Sequence, residues 1–316
     1  MQAIIWKEDH LLLLDQRYLP HKEIWVTART SQDVATAISE MVVRGAPAIA
    51  ISAGYGLGLA VLHQENRAEA HQRLLSSRPT AVNLQWALER LKAVPDENII
   101  DEAINIHQED LQINRAIGKH GAPLLKGGVL TICNTGALAT GGHGTALGMI
   151  RTAHQNSQNI HVYILETRPY LQGSRLTAFE CIKENIPCTL ISDSMIASLI
   201  SQGKIHSAVA GCDRVARNGD TANKIGTYQL ALLCQAQNIP FYIAMPWSSY
   251  DKDCPSGSAI PIEERPPEEL RNFHGVPVAP KEVPAWNPAF DVTPHQLING
   301  WVTETGTVRH FSENEI

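Results

Sequence analysis

Cys133 is followed by Asn134-Thr135-Gly136 and then by the run Gly141-Gly142-His143-Gly144. A cysteine at the point where an apolar strand yields to a glycine loop opening a helix meets oriented backbone N–H groups and the positive end of a helix dipole. Both favour the thiolate and lower the thiol pKa. The same loop can hold a phosphate, because its N–H groups point at an anion. A buried structural cysteine above a packing loop has the same residues, so this segment alone leaves both readings open. A dinucleotide loop is a third reading, since Glu166 ends the next strand where an acidic residue would bind ribose. The glycines, however, read GxGxxxG over Gly142, Gly144 and Gly148 rather than GxGxxG.

The second cluster is Gly211-Cys212-Asp213-Arg214, with Asn218-Gly219-Asp220 and Asn223-Lys224 just beyond. Asp213 closes an apolar run, a setting in which desolvation raises a carboxyl pKa toward the range of a general acid. An aspartate paired with Arg214 in a solvated turn is the competing reading. Arg44-Gly45-Ala46-Pro47 and Arg78-Pro79-Thr80 bring guanidinium groups, whose planar fork suits phosphate. Arginines beside Gly or Pro at helix ends are also ordinary surface residues. Of thirteen histidines, only His143 lies in the glycine loop. No Cys/His run has zinc-finger spacing, and no metal site is expected.

These groups need a scaffold, and the second half of the chain supplies one. Apolar, β-branched runs at 129–133, 162–165, 189–191, 208–210 and 241–244 have strand length, with helical patterns between them at 171–184 and 224–237. Alternating strand and helix predicts parallel strands with right-handed crossovers, an α/β doubly wound sheet. Ligands of such sheets lie beyond the carboxyl ends of the strands. Those ends are Cys133-Asn134, Glu166-Thr167, Ser192-Asp193 and Gly211-Cys212-Asp213. The first 120 residues read as mainly helical after a short strand-like opening, with helices at 31–43, 83–91 and 99–117. Ser31 is the expected cap of the first, with Asp33 in its first turn. Glycines and a proline at 118–128 place a boundary between a helical domain, 1–120, and a Rossmann-like domain, 121–316.

Bulk properties narrow the function. The net charge is −6, with 44% hydrophobic and 18% charged residues, an ordinary globular profile without the basic stripe of a nucleic-acid binder. The six cysteines form no CxxC pair, and a chain this size needs no disulfide framework. No apolar stretch approaches the ~20 residues of a membrane helix, nor does the N-terminus read as a signal peptide. A cytoplasmic location is expected.

Taken together, the segments 44–49, 78–84, 134–139, 166–169, 171–177, 192–194, 213–214, 218–227, 261–266 and 287–294 resemble the methylthioribose-1-phosphate isomerase family. That family is related to ribose-1,5-bisphosphate isomerases and to regulatory subunits of the translation-initiation exchange factor. The resemblance runs from about residue 25 to residue 308. It implies a helical N-terminal domain, a Rossmann-like C-terminal domain, a homodimer and no cofactor. It also implies catalytic roles for Cys133 and Asp213, and substrate contacts by Arg44, Gly45, Ala46, Arg78, Gln172, Asn223 and Lys224. Cys212 stands where the family pattern suggests a small residue such as alanine, and the N-terminal half is somewhat short. The implied substrate is a sugar phosphate. A related aldose 1-phosphate, 5-deoxyribose 1-phosphate or ribose 1,5-bisphosphate, is an alternative, as are a non-catalytic regulatory subunit and an NAD-dependent oxidoreductase.

Overall fold

The structure is a computed structural model describing residues 1–79, 81–273 and 275–311. It is an α/β protein with ten α-helices among the described residues. The chain forms two compact units, one of residues 1–115 and 135–148, the other of residues 116–134 and 149–316.

The first unit opens with an antiparallel meander of β1 (Ile4–Lys7), β2 (His10–Leu14) and β3 (Trp25–Ala28). Helices α1 (Ser31–Ser39), α2 (Ala46–Leu62), α3 (Arg67–Ser77), α4 (Val82–Lys92) and α5 (Ile99–Gly121) follow. The cap of α1 is Thr30, one residue before the expected Ser31; it forms a capping box with Asp33, a device that contributes about 1 kcal/mol. Ser31 instead gives its N–H and hydroxyl to Glu65. The helix also stops at Ser39 rather than 43, because Met41 takes a φ of 62°. Every residue of α2 from Ala48 to Ala60 is buried. A helix apolar on all sides forms the centre of a bundle, and the core of this unit gathers around it.

The second unit carries β4 (Gly127–Thr131), β5 (Ile160–Leu165), β6 (Cys188–Ile191), β7 (Ser207–Ala210), β8 (Arg214–Ala216), β9 (Thr221–Lys224), β10 (Phe241–Ala244), β11 (Tyr250–Asp251), β12 (Asn272–Phe273), β13 (Val276–Pro277), β14 (Phe290–Thr293), β15 (Gly300–Thr303) and β16 (Gly306–Val308). Its helices include α6 (Ala146–Gln155), which begins in the first unit, α7 (Ala178–Lys183), α8 (Ile196–Ser201), α9 (Thr227–Ala236) and α10 (Glu268–Arg271). The main sheet has the order β16-β15-β10-β7-β4-β5-β6, parallel except for β16. All four residues of β7 are buried, as expected of a strand inside a parallel sheet.

Apart from the edge strand β16, this is the strand order of dinucleotide-binding α/β sheets, and it reverses between β4 and β7. A second sheet, β11-β8-β9-β14, leaves the end of β7. It corrects the helix expected to start at Lys224. Residues 221–224 pair with 290–293, and α9 starts only at Thr227.

Candidate active site

Cys133 lies two residues beyond the end of β4, is 7% exposed and takes a left-handed φ of 64°. Its N–H donates to Thr167 Oγ1 at 2.9 Å, and its carbonyl accepts from Thr177 Oγ1 at 2.6 Å. Asn134 is anchored as firmly, its Nδ2 donating to Glu180 at 2.8 Å. Glu180 is itself fully buried and paired with Arg151 at 3.0 Å. Arg151 also donates through Nε to Glu184, while its Nη1 is buried with no hydrogen-bond partner among the described residues. Such a pair in a dry interior is stable only where most of its polar positions are bonded.

Asp213 lies three residues beyond β7, where the chain turns into β8, and its N–H donates to the Ala222 carbonyl at 2.9 Å. Strands β4 and β7 are neighbours in register, Thr131 beside Val209. Cys133 and Asp213 therefore follow the two strands between which the sheet order reverses. Asp213 is exposed, which corrects the expectation that its apolar strand would desolvate it. Residue 213 lies past the end of β7, outside the buried strand itself. Arg214 is engaged elsewhere, donating to Asp251 at 3.4 Å. Burial pushes the neighbouring Cys212 thiol up to about 12, so it stays protonated at neutral pH.

Gln172 is 5% exposed, and its Oε1 is buried with no hydrogen-bond partner among the described residues. Such an orphan acceptor costs on the order of 1–3 kcal/mol, which a ligand hydroxyl would offset. Asn223 is buried on β9 and donates to Thr227 Oγ1 at 2.9 Å. Lys224 donates to the Ala289 carbonyl at 2.9 Å, with Nζ 4.5 Å from the Phe290 ring centre. Next to them Asp291 caps α9, accepting from Gly226 N at 2.7 Å and Tyr228 N at 3.1 Å. Its burial nevertheless pushes the carboxyl up to about 6.

In the first unit Arg44 and Arg78 are half-buried at the start of α2 and the end of α3. Thr80, quoted with Arg78, lies outside the described residues. Gly45, at φ 98°, caps α2, and a Cβ there would stand 2.6 Å from the Ala139 carbonyl oxygen. Only glycine permits both the angle and the approach. Gly45 is thus packed on the loop that follows Cys133, and Ala46 is the first residue of α2. Helix α5 grips the same loop further on. Asp110 accepts from Gly141 N at 2.6 Å, while His107 Nε2 meets the Gly141 carbonyl at 2.8 Å and its Nδ1 meets Tyr55 at 2.9 Å. Sequence reasoning singled out His143 in this loop and missed His107 and Asp110. Their helical spacing alone does not reveal that they face a peptide more than thirty residues away.

A dinucleotide loop turns tightly from strand into helix. Here residues 132–145 separate β4 from α6, and Glu166 is taken up by Ser192 Oγ at 2.9 Å. Neither feature fits the fingerprint. Among the described residues no group of three or more His, Cys, Asp or Glu is placed to hold a metal ion.

Residues 29–310 match the model of the initiation factor 2 subunit family. The chain belongs to that family. Within it, the chain is 52% identical to the methylthioribose-1-phosphate isomerase of Alcanivorax borkumensis, covering 97% of this chain and 93% of that one. It is likewise 52% identical to the Thermus thermophilus protein of the same name, covering 96% and 92%. The solved 5-methylthioribose 1-phosphate isomerase of Pyrococcus horikoshii superposes with a TM-score of 0.94 at 40% identity, covering 98% of this chain and 92% of that one. A family member described as translation initiation factor eIF-2B, subunit delta, from A. fulgidus gives a TM-score of 0.88 at 38% identity, covering 98% and 96%.

Proposed function

We propose that this protein is an aldose–ketose isomerase that converts 5-methylthio-D-ribose 1-phosphate into 5-methylthio-D-ribulose 1-phosphate in methionine salvage. The observation that carries the reading is the placement of Cys133 and Asp213 after β4 and β7, where the order of the parallel sheet reverses. Relatives named for this activity at about half identity along almost the whole chain support it.

The substrate sets the chemistry. Its anomeric carbon carries the phosphate, so it does not open to an aldehyde as a free sugar does. In the proposed mechanism Asp213 protonates the ring oxygen as the C1–O bond breaks. The Cys133 thiolate takes the proton from C2, leaving an enol phosphate. The resulting thiol then returns a proton to C1 while the C2 hydroxyl gives its proton to the Asp213 carboxylate, so the C2 ketone forms and both groups regain their starting states. Arg44, Arg78 and Lys224 hold the phosphate, joined by loop N–H groups and Gly45 and Ala46. Gln172 and Asn223 bind sugar hydroxyls, for which the orphan Oε1 of Gln172 is suited. No metal or cofactor takes part.

The finer architecture we propose is a helical N-terminal domain, residues 1–120, and a doubly wound Rossmann-like catalytic domain, residues 121–316, with the 135–148 excursion described above. The protein is proposed to act as a cytoplasmic homodimer. The test is NMR of purified protein in D2O with 5-methylthioribose 1-phosphate, 5-deoxyribose 1-phosphate and ribose 1,5-bisphosphate. Fastest turnover of the first, with solvent deuterium entering at C1, is the expected result. Turnover without deuterium replaces the proton route with a direct hydride shift. No turnover of any of the three sugars refutes the enzyme reading.

A further inference from the structure

Cys133 is held through its backbone, by groups outside the set assigned above. Thr167 Oγ1 accepts from the Cys133 N–H at 2.9 Å and donates to the Leu165 carbonyl at 3.0 Å. Thr177 Oγ1 donates to the Cys133 carbonyl at 2.6 Å and accepts from Asn134 Nδ2 at 3.3 Å. A hydroxyl has one proton to give. Each threonine commits that proton to a carbonyl, so the direction of every bond is fixed, and the two hydroxyls grip the N–H and the C=O of one residue.

The grip works against local preference. Cys133 and Thr167 take φ values of 64° and 65°, a left-handed region that residues with a Cβ avoid and that is a genuine outlier for a β-branched one. Two such residues, hydrogen-bonded to each other at the ends of neighbouring strands, persist only where their surroundings over-determine them. Those surroundings are visible. Asp193, just after β6, accepts from Thr167 N at 2.8 Å and from Arg168 N at 2.7 Å through its two oxygens. Burial holds its carboxyl above the ordinary range while those two N–H groups pull it down. Thr177 ends a π-turn, Gly173–Thr177, a helical irregularity common at functional sites. A Cβ on Gly173 would lie 1.7 Å from the Leu165 carbonyl oxygen, so only glycine lets this turn reach the end of β5.

We infer that Thr167 and Thr177 are positioning residues that fix the Cys133 thiol for proton transfer, and that Asp193 fixes Thr167. This rests on the reading of Cys133 as the catalytic base. The chain of bonds runs across the ends of β6, β5 and β4 in turn, so a residue two strands away helps decide where the sulfur sits.

The experiment compares Thr167→Val, which keeps the shape but removes the acceptor, with Thr167→Ser, which keeps the hydroxyl. For Thr167→Val, kcat should fall roughly tenfold to a hundredfold, the effect of a buried N–H left unpaired, with KM changed by less than about twofold. The rate of iodoacetamide modification at Cys133, located by peptide mass, should change with it across the pH profile. Thr167→Ser should return both to within about threefold of wild type. Equal losses in the two variants, or lowered thermal stability with kcat and alkylation untouched, would overturn the inference. Should Thr167→Val not fold, Asp193→Asn makes the same comparison, because its amide turns an N–H toward one of the two donors. A lowered kcat at constant KM then supports the inference, and wild-type kcat and alkylation overturn it. Cys133→Ser, assayed in parallel, separates the two levels. Full activity there defeats the reading of Cys133 itself. An inactive Cys133→Ser beside a normal Thr167→Val defeats only the positioning role.

Discussion

The carboxyl of Asp110 offers a test of the loop's anchorage that does not depend on the enzyme reading. It accepts from Gly141 N at 2.6 Å and from Asn114 Nδ2 at 2.9 Å through the same oxygen, yet burial outweighs both and pushes it from 3.8 up to about 6. A carboxyl whose folded pKa lies above its unfolded value binds protons more tightly in the native state. Stability therefore falls as pH rises between the two values and levels off above the folded one. Each pH step of one between those values corresponds to about 1.4 kcal/mol, so from pH 4.5 to 7.5 this group should remove about 2 kcal/mol. The residue as a whole is only half-buried, so partial solvation makes that an upper figure. Asp110→Asn keeps an oxygen for both donors and removes the charge. Urea midpoints of wild type and variant, compared at the two pH values with equal slopes, should show the variant gaining on wild type by up to that amount at pH 7.5. His107, whose pKa burial lowers, adds the opposite dependence. It adds it to both proteins, so it cancels in the difference. A difference that does not change with pH, or one that grows toward pH 4.5, would refute the argument.

Asp213→Asn should fold normally and lose roughly 10² to 10⁴ in kcat, the usual contribution of a positioned acid or base; near-wild-type turnover would leave Asp213 outside the chemistry. Iodoacetamide should inactivate through Cys133 with substrate protecting, and peptide mass mapping that finds modification chiefly at Cys181 or Cys234 would contradict this. Activity should survive EDTA and desalting, and restoration of lost turnover by a divalent ion would count against a metal-free mechanism. Gly45→Ala should cost about 2 kcal/mol or more, because it forces a Cβ into φ 98° and against Ala139; an unchanged urea midpoint would contradict that packing.

What the sequence made legible follows from the range of the interactions. The parallel strands could be read because each is a short apolar run, and their carboxyl ends then located Cys133 and the turn at Asp213. Helix α2 could not be singled out, since burial on every side erases the amphipathic period that marks α1 and α5. Lys224, expected to start a helix, is instead the last residue of the strand 221–224. That segment becomes a strand only by pairing with 290–293, a contact far away in the chain. The exposure of Asp213 was missed for a related reason. Apolar neighbours in sequence do not bury a side chain that projects past the end of its strand. Thr167, Thr177 and Asp193 stand in plain view among the family-like segments, but a threonine's bonding partners are a tertiary fact.

The excursion of residues 135–148 has a consequence for synthesis. The first unit is not finished when residue 115 has been made. It waits for a segment that arrives only after the first strand of the other unit, β4, has been laid down. On the ribosome, a chain stalled before residue 148 would hold an incomplete helical unit and one isolated strand, with its central apolar surface open to chaperones and proteases. No single cut along the sequence releases both units whole, so a fragment library scanned for folding should show the first unit soluble only in pieces that carry residues 1–148 together.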